Sequence, residues 1–120
     1  MNRVIAFVDD LMFLSRIREA ARPEGVELRA VRSVAQLREA CRTPPRLLLL
    51  DLDSPRVPSL EALAWLRAEP DLAAVPAVGF LGHEEAERAR QARQAGCTRV
   101  LARSAFVREL PAILSAATSR

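Results

Sequence analysis

Two pairs of aspartates stand where short apolar runs end: Asp9 and Asp10 after "RVIAFV", and Asp51 and Asp53 after "RLLLL". An acid directly after a buried strand has two readings. As structure, it caps the next helix or closes a turn. As chemistry, carboxylates gathered in one place repel one another and gain from a hard divalent cation such as Mg²⁺, which takes a few carboxylate oxygens and keeps several waters. Either pair alone favours the structural reading. Their joint position after two apolar runs favours a site, provided the two strands lie side by side.

The elements that must position these acids are legible from periodicity. Runs 3–8, 26–31, 46–50, 76–81 and 98–102 have strand length and aliphatic content, and the third is apolar on both faces. Amphipathic helical patterns follow each: Leu11 to Arg22, with Leu14, Ile17 and Ala21 on one stripe, then Val34 to Cys41, Leu60 to Glu69, Glu84 to Ala95 and Phe106 to Ala117. Asp10 and Ser33 are placed to cap helix starts, Ser59 precedes the third helix, and Gly25 and Gly96 fall just past helix ends. Pro111 sits within the last helix, where a lost hydrogen bond should kink it. Five consecutive β/α units predict a doubly wound α/β fold: a five-stranded parallel sheet, order 2-1-3-4-5, with helices on both faces. In that order strands one and three are neighbours, and Asp9, Asp10 and Asp51 are expected within a few ångströms of one another at the carboxyl edge, where such sheets bind ligands.

Composition narrows the class. The 120 residues, 50% hydrophobic, suit one domain spanning 1–120, and no apolar run approaches the roughly 20 residues that cross a bilayer. A cytoplasmic protein is the expectation, with no membrane partner. The basic residues are 18 arginines and no lysine against 15 acids, for a net charge of +3, and they form no long tract. With aromatics at 4% there is little to stack on bases, so no nucleic-acid partner is expected. Cys41, Cys97 and the single His83 have no metal-ligand spacing, which leaves both cysteines as small packing groups.

At these residues the chain resembles the receiver domain of bacterial two-component response regulators, of the single-domain, chemotaxis-regulator-like kind. The resemblance runs from Arg3 to about Ala117 and is carried by "VIAFVDD", "LLLLDLDSP", "VPAVGFL" and "AGCTRVLARS". It implies the flavodoxin-like receiver fold already predicted. It also implies Asp51 as the phosphoacceptor of a histidine kinase, with Mg²⁺ held by Asp9, Asp10, Asp51 and the backbone carbonyl of Asp53. The Asp53 side chain is then a turn acid or a supporting one. Catalysis in such a site is in-line transfer to a carboxylate, with charge neutralised by the cation.

Three positions depart from the family pattern. Leu81 stands where the family has the Ser or Thr whose hydroxyl follows the phosphate, and leucine donates no hydrogen bond. His83 is the nearest substitute donor. Arg103 stands in place of the phosphate-binding lysine; arginine also binds phosphate, with a larger planar head, and the absence of lysine anywhere in the chain weakens the contrast. Val100 replaces the switching aromatic. The expectation is therefore a divergent, stand-alone receiver without an output domain and without enzyme activity of its own. It would act by protein–protein interaction, with an acidic Mg²⁺ pocket and an impaired phosphorylation switch. A conventional phosphoacceptor receiver, phosphorylated on Asp51, is the alternative. A small metal-dependent phosphatase is the third class, and the lack of any general acid or base beyond these acids counts against it. Partners implied are a histidine kinase or phosphotransfer protein, and a homodimer through helix four, strand five and helix five, a face expected to include Arg90, Arg99 and Phe106. Trp65 has two readings, a partner anchor or a ring packed over a neighbouring helix.

Overall fold

The computed structural model describes residues 2–82 and 85–118. Elements follow in the order β1 (Arg3–Phe7), α1 (Leu11–Ala21), a 3₁₀ turn (Arg22–Glu24), β2 (Glu27–Val31), α2 (Val34–Ala40), β3 (Leu47–Asp51), α3 (Ser59–Ala68), β4 (Ala77–Leu81), α4 (Ala86–Gln94), β5 (Arg99–Ala102) and α5 (Arg103–Thr118). The five strands form one parallel sheet in the order β2-β1-β3-β4-β5. The predicted architecture and strand order are thus observed, with element ends moved by one to three residues.

Two apolar layers sandwich the sheet. On one face Ile5, Phe7, Leu48, Leu50, Ala77 and Leu81 pack against α2, α3 and α4. On the other, Val4, Ala6, Leu47, Leu49, Val78 and Phe80 pack against α1 and α5. β3 is central and its side chains alternate between two covered faces, so both parities are aliphatic. Full burial of each of those leucines is worth about 1.5–3 kcal/mol. Asp51, last residue of β3, shares the parity of Leu47 and Leu49 and faces the α1/α5 layer beside Phe80, its partner in register on β4.

The caps behave as the sequence suggests at α1 and α2. Asp10 Oδ1 accepts from the Met12 and Phe13 amides, and Ser33 Oγ accepts from the Gln36 amide. Gly25 and Gly96 take φ values of 67° and 102°, open to glycine at little cost. Ser59 does something else. It is the first residue of α3 rather than its cap, and its hydroxyl donates to the Asp51 carbonyl, tying the helix start to the end of β3. Helix α5 begins three residues before the predicted start, which makes Arg103 its first residue, and it runs unbroken through the exposed Pro111.

Gly79, in the middle of β4, has a packing role. A Cβ there would lie 2.5 Å from Leu52 Cδ1 and 3.2 Å from Cys97 Sγ. Leu52 immediately follows Asp51 and is fully buried, so its path out of the sheet depends on this missing methyl. Gly79→Ala should cost about 1–3 kcal/mol by overpacking, read as a lower urea midpoint with an unchanged slope. An unaltered midpoint would mean that Leu52 has room to move.

Candidate functional site

At the carboxyl edge of the sheet the β1–α1, β3–α3 and β5–α5 junctions enclose a cavity of about 670 Å³. Its lining includes Asp9, Asp10, Asp51, Asp53, Arg32, Arg56 and Arg103. Four acids therefore face three arginines. Adjacency of β1 and β3 brings the two aspartate pairs together, and each acid is engaged differently.

Asp9 is paired twice, with Arg56 Nη1 donating to Oδ2 at 2.8 Å and Arg32 Nη1 reaching Oδ1 at 3.5 Å. The Arg56 hydrogen bond is the chief reason its carboxyl is held below the usual range. Asp10 is exposed and its Oδ1 caps α1. Asp51 is only 2% exposed. Its nearest cation is Arg103 at 3.6 Å, and its Oδ1 accepts from the Asp53 amide at 3.3 Å. Burial, reinforced by the neighbouring Asp53 carboxylate and only partly offset by Arg103, pushes the Asp51 carboxyl up to about 6.

The Asp53 side chain is more central than the sequence suggested. Oδ2 accepts the Gly82 amide at 2.8 Å and Oδ1 accepts Arg103 Nη2 at 3.1 Å. Burial raises its carboxyl, but the Gly82 amide, Asp51 and Arg103 together outweigh that and hold it low. One carboxylate thus joins the ends of β3, β4 and β5. Nothing in "DLDSP" distinguishes this acid from an ordinary turn former, because both of its partners are distant in the chain.

Arg103 is held from behind. Its guanidinium carbon lies 5.0 Å from the centroid of Phe13 and 5.3 Å from that of Phe80, in a cluster completed by Phe106. Stacking on aromatic faces suits a planar guanidinium better than a lysine ammonium. The aromatic shelf gives arginine a physical reason at this position beyond composition.

Two expectations need correction. The carboxylates do not converge as a close trio: among the described residues no three His, Cys, Asp or Glu side chains are gathered as a metal cage, since Asp10 turns to its helix and Asp9 to its arginines. Phe106 is not on a partner face; it is fully buried under the arginine shelf. Leu81 is buried in the α2/α3/α4 layer and brings no polar atom to the end of β4. Trp65 is partly buried with Arg38 of α2 over its ring at 5.8 Å, which matches the helix-packing reading. The substitute role considered for His83 lies outside the described residues.

The donors of Asp9 and Asp51 and the Asp53 carbonyl are all oxygen, the chemistry that suits Mg²⁺ with water completing its shell. A cation at Asp9 would exchange with Arg56, whose side chain is 76% exposed and easily released.

No protein-family model matches the chain, and no curated protein matches it. Solved structures do. A response regulator from Hahella chejuensis superposes with a TM-score of 0.84 at 22% identity, covering 98% of this chain and 95% of that one. A phosphorylated cyanobacterial phytochrome response regulator, RcpA, gives 0.76 at 22% identity, covering 95% and 89%. The Mn²⁺-bound form of the response regulator Rcp1 gives 0.74 at 20% identity, covering 95% and 89%. The fold is that of the response-regulator receiver domain, as the sequence motifs imply. Among the described residues, no helix is long and apolar enough to cross a membrane.

The raised Asp51 carboxyl has a consequence for stability. Its folded value of about 6 lies above the 3.8 of an ordinary aspartate, so the folded state binds a proton more tightly. The stability this group contributes is present below about pH 4 and lost as pH rises through about 6. In chelated buffer, Asp51→Asn should therefore stabilise the fold at pH 7, by up to roughly 3 kcal/mol. The gain should shrink towards zero by pH 4, as read from denaturation midpoints. A gain independent of pH would show that the burial penalty is not its source.

Proposed function

We propose that this chain is a divergent receiver domain that acts in signal transduction by binding a partner protein. Its acidic pocket takes Mg²⁺, and its phosphorylation switch is impaired. The observation that carries the reading is the contrast between the ends of two adjacent strands. Asp51 closes β3 as a buried carboxylate beside Arg103, while β4 closes on the buried, apolar Leu81.

If a phosphoryl group reached Asp51 from a phosphohistidine, a P–O bond to the carboxylate would form as the P–N bond broke. Asp9, Asp51 and the Asp53 carbonyl, with Asp10 nearby, would hold Mg²⁺, which would supply charge neutralisation there. The chain's own residues do the rest. Asp51 must be ionised to attack, which its raised carboxyl allows at neutral pH, and Arg103 places a fixed positive charge 3.6 Å from it. Relay onward is where the machinery thins. Leu81 has no hydroxyl to follow the new anion, and β5 offers Val100 where an aromatic would rotate. The phosphorylated RcpA and Mn²⁺-bound Rcp1 structures support carrying the phosphoryl and cation chemistry over to this pocket.

The proposed partner surface is the α4–β5–α5 face, which holds a groove of about 270 Å³ between α4 and β5 lined by Leu81, Ala86, Ala89, Val100 and Ala102. Arg90 pairs with Glu87 and Arg99 with Glu109 on this face, and Glu85 and Arg93 line the groove beside the small apolar side chains. A histidine kinase, a phosphotransfer protein or a second copy of the chain are the partners proposed. The site of action is the cytoplasm. The second reading, a conventional phosphoacceptor, is favoured by one fact: Asp9, Asp10, Asp51 and Arg103 all line one cavity.

Amide NMR on wild type and Asp51→Asn, titrated with Mg²⁺ and then beryllofluoride, separates the two readings. The divergent reading expects Mg²⁺ to perturb Asp9, Asp10 and Asp51, with no Asp51-dependent shifts in Leu81 or α4. Shifts spreading into α4 would establish the conventional switch instead. Because Arg56 competes for Asp9, Arg56→Ala should also tighten Mg²⁺ by a few-fold in the same titration, and an unchanged affinity would remove Arg56 from the cation site.

A further inference from the structure

Two donors converge beside Asp51 from other strands: the Gly82 amide past β4, and the guanidinium of Arg103 opening α5. A backbone N–H and a guanidinium side by side are the groups that grip an oxyanion. Both are already committed. Asp53 takes Gly82 N–H on one oxygen at 2.8 Å and Arg103 Nη2 on the other at 3.1 Å. The Asp53 backbone N–H meanwhile points at Asp51 Oδ1, so this carboxylate is anchored within one hydrogen bond of the phosphoacceptor position.

We propose that the Asp53 carboxylate is the resident anion of an oxyanion site formed by Gly82 N–H and Arg103, so that a tetrahedral group on Asp51 gains those donors only by displacing it. The inference rests on the receiver reading and deepens it, since it names a second cause of the impaired switch besides Leu81. Two features of the site support it. Arg103 is braced on Phe13 and Phe80, so it is not free to swing to another acceptor without giving up that stacking. The loops are already drawn together, with Asp53 bridging them and Arg88 of α4 donating to the Leu52 carbonyl at 2.8 Å. The link from the acid loop to α4 that an added anion would have to create is therefore in place without one.

The test is Mg²⁺–beryllofluoride affinity by fluorine NMR on wild type, Asp53→Ala and Asp53→Asn, each with and without Asp51→Asn, and with thermal melts to confirm folding. Asp53→Ala keeps the backbone carbonyl proposed for the cation and removes only the competing carboxylate. The expected result is an Asp51-dependent adduct about tenfold tighter, or more, in Asp53→Ala than in wild type, since charge-assisted hydrogen bonds are among the strong ones. Asp53→Asn should fall between them, and the Gly82 amide resonance should move in Asp53→Ala and move again on adduct formation. Equal or weaker binding by Asp53→Ala overturns the inference, as does the absence of an adduct in every protein, and either result leaves the receiver reading standing. A tight wild-type adduct whose shifts run into α4 is the different failure, because it sinks the impaired-switch reading itself.

Discussion

A carboxylate with almost no exposed surface, standing at the end of a strand of leucines, has to be balanced by something, and much of the upper rim of this molecule is arranged around that need. Asp51 receives one hydrogen bond from its own loop and one guanidinium at 3.6 Å, too little to return its carboxyl to an ordinary value. What Asp51 lacks is spent next door, where Arg103 and the Gly82 amide satisfy Asp53 instead. The proton affinities of the two acids accordingly move in opposite directions, the more buried one up and the better-partnered one down. That asymmetry separates a buried carboxylate with few partners from one that bridges loops.

Arginine rather than lysine sets the geometry of this balance. Its plane lies against Phe13 and Phe80, one ring from α1 and one from β4, so the charge is fixed by helices and sheet together rather than by a flexible stem. The same ring cluster holds Phe106, which anchors the start of α5 and so the origin of Arg103. A hydrophobic layer and an electrostatic site are thereby one unit. At the other end of the cavity the pairing is looser: Arg56 and Arg32 are largely exposed, and their hold on Asp9 yields to salt or to a cation.

Hydrogen bonds tie the acid pocket to α3 and α4. Arg88 reaches the Leu52 carbonyl, Ser59 reaches the Asp51 carbonyl, and Leu81 and Leu52 fill the layer beneath with Gly79 giving the room. A packed apolar layer of this kind transmits displacement poorly unless it has two discrete arrangements.

The sequence by itself determined the sheet, its order and the place of the acids, because strand and helix periods, caps at Asp10 and Ser33, and the two-sided leucine run of β3 are local signals. It also determined that β4 ends without a hydroxyl. It did not determine what the acids touch. Phe106, read as surface, is core: it lies on the same α5 stripe as Leu110, Ile113, Leu114 and Ala117 and packs against the rings of Phe13 and Phe80. Asp53, read as a turn acid or a supporting one, bridges Gly82 and Arg103, and Asp10, read both as a cap and as a ligand, has its carboxylate engaged as the cap. Only the tertiary structure could decide these, since Phe106 meets rings from α1 and β4, Asp53 takes partners 29 and 50 residues away, and Asp10 chooses between neighbouring amides and a distant cavity. Periodicity fixes which way a residue faces relative to its own element; which charge meets which is settled when separate strand ends are brought to one edge.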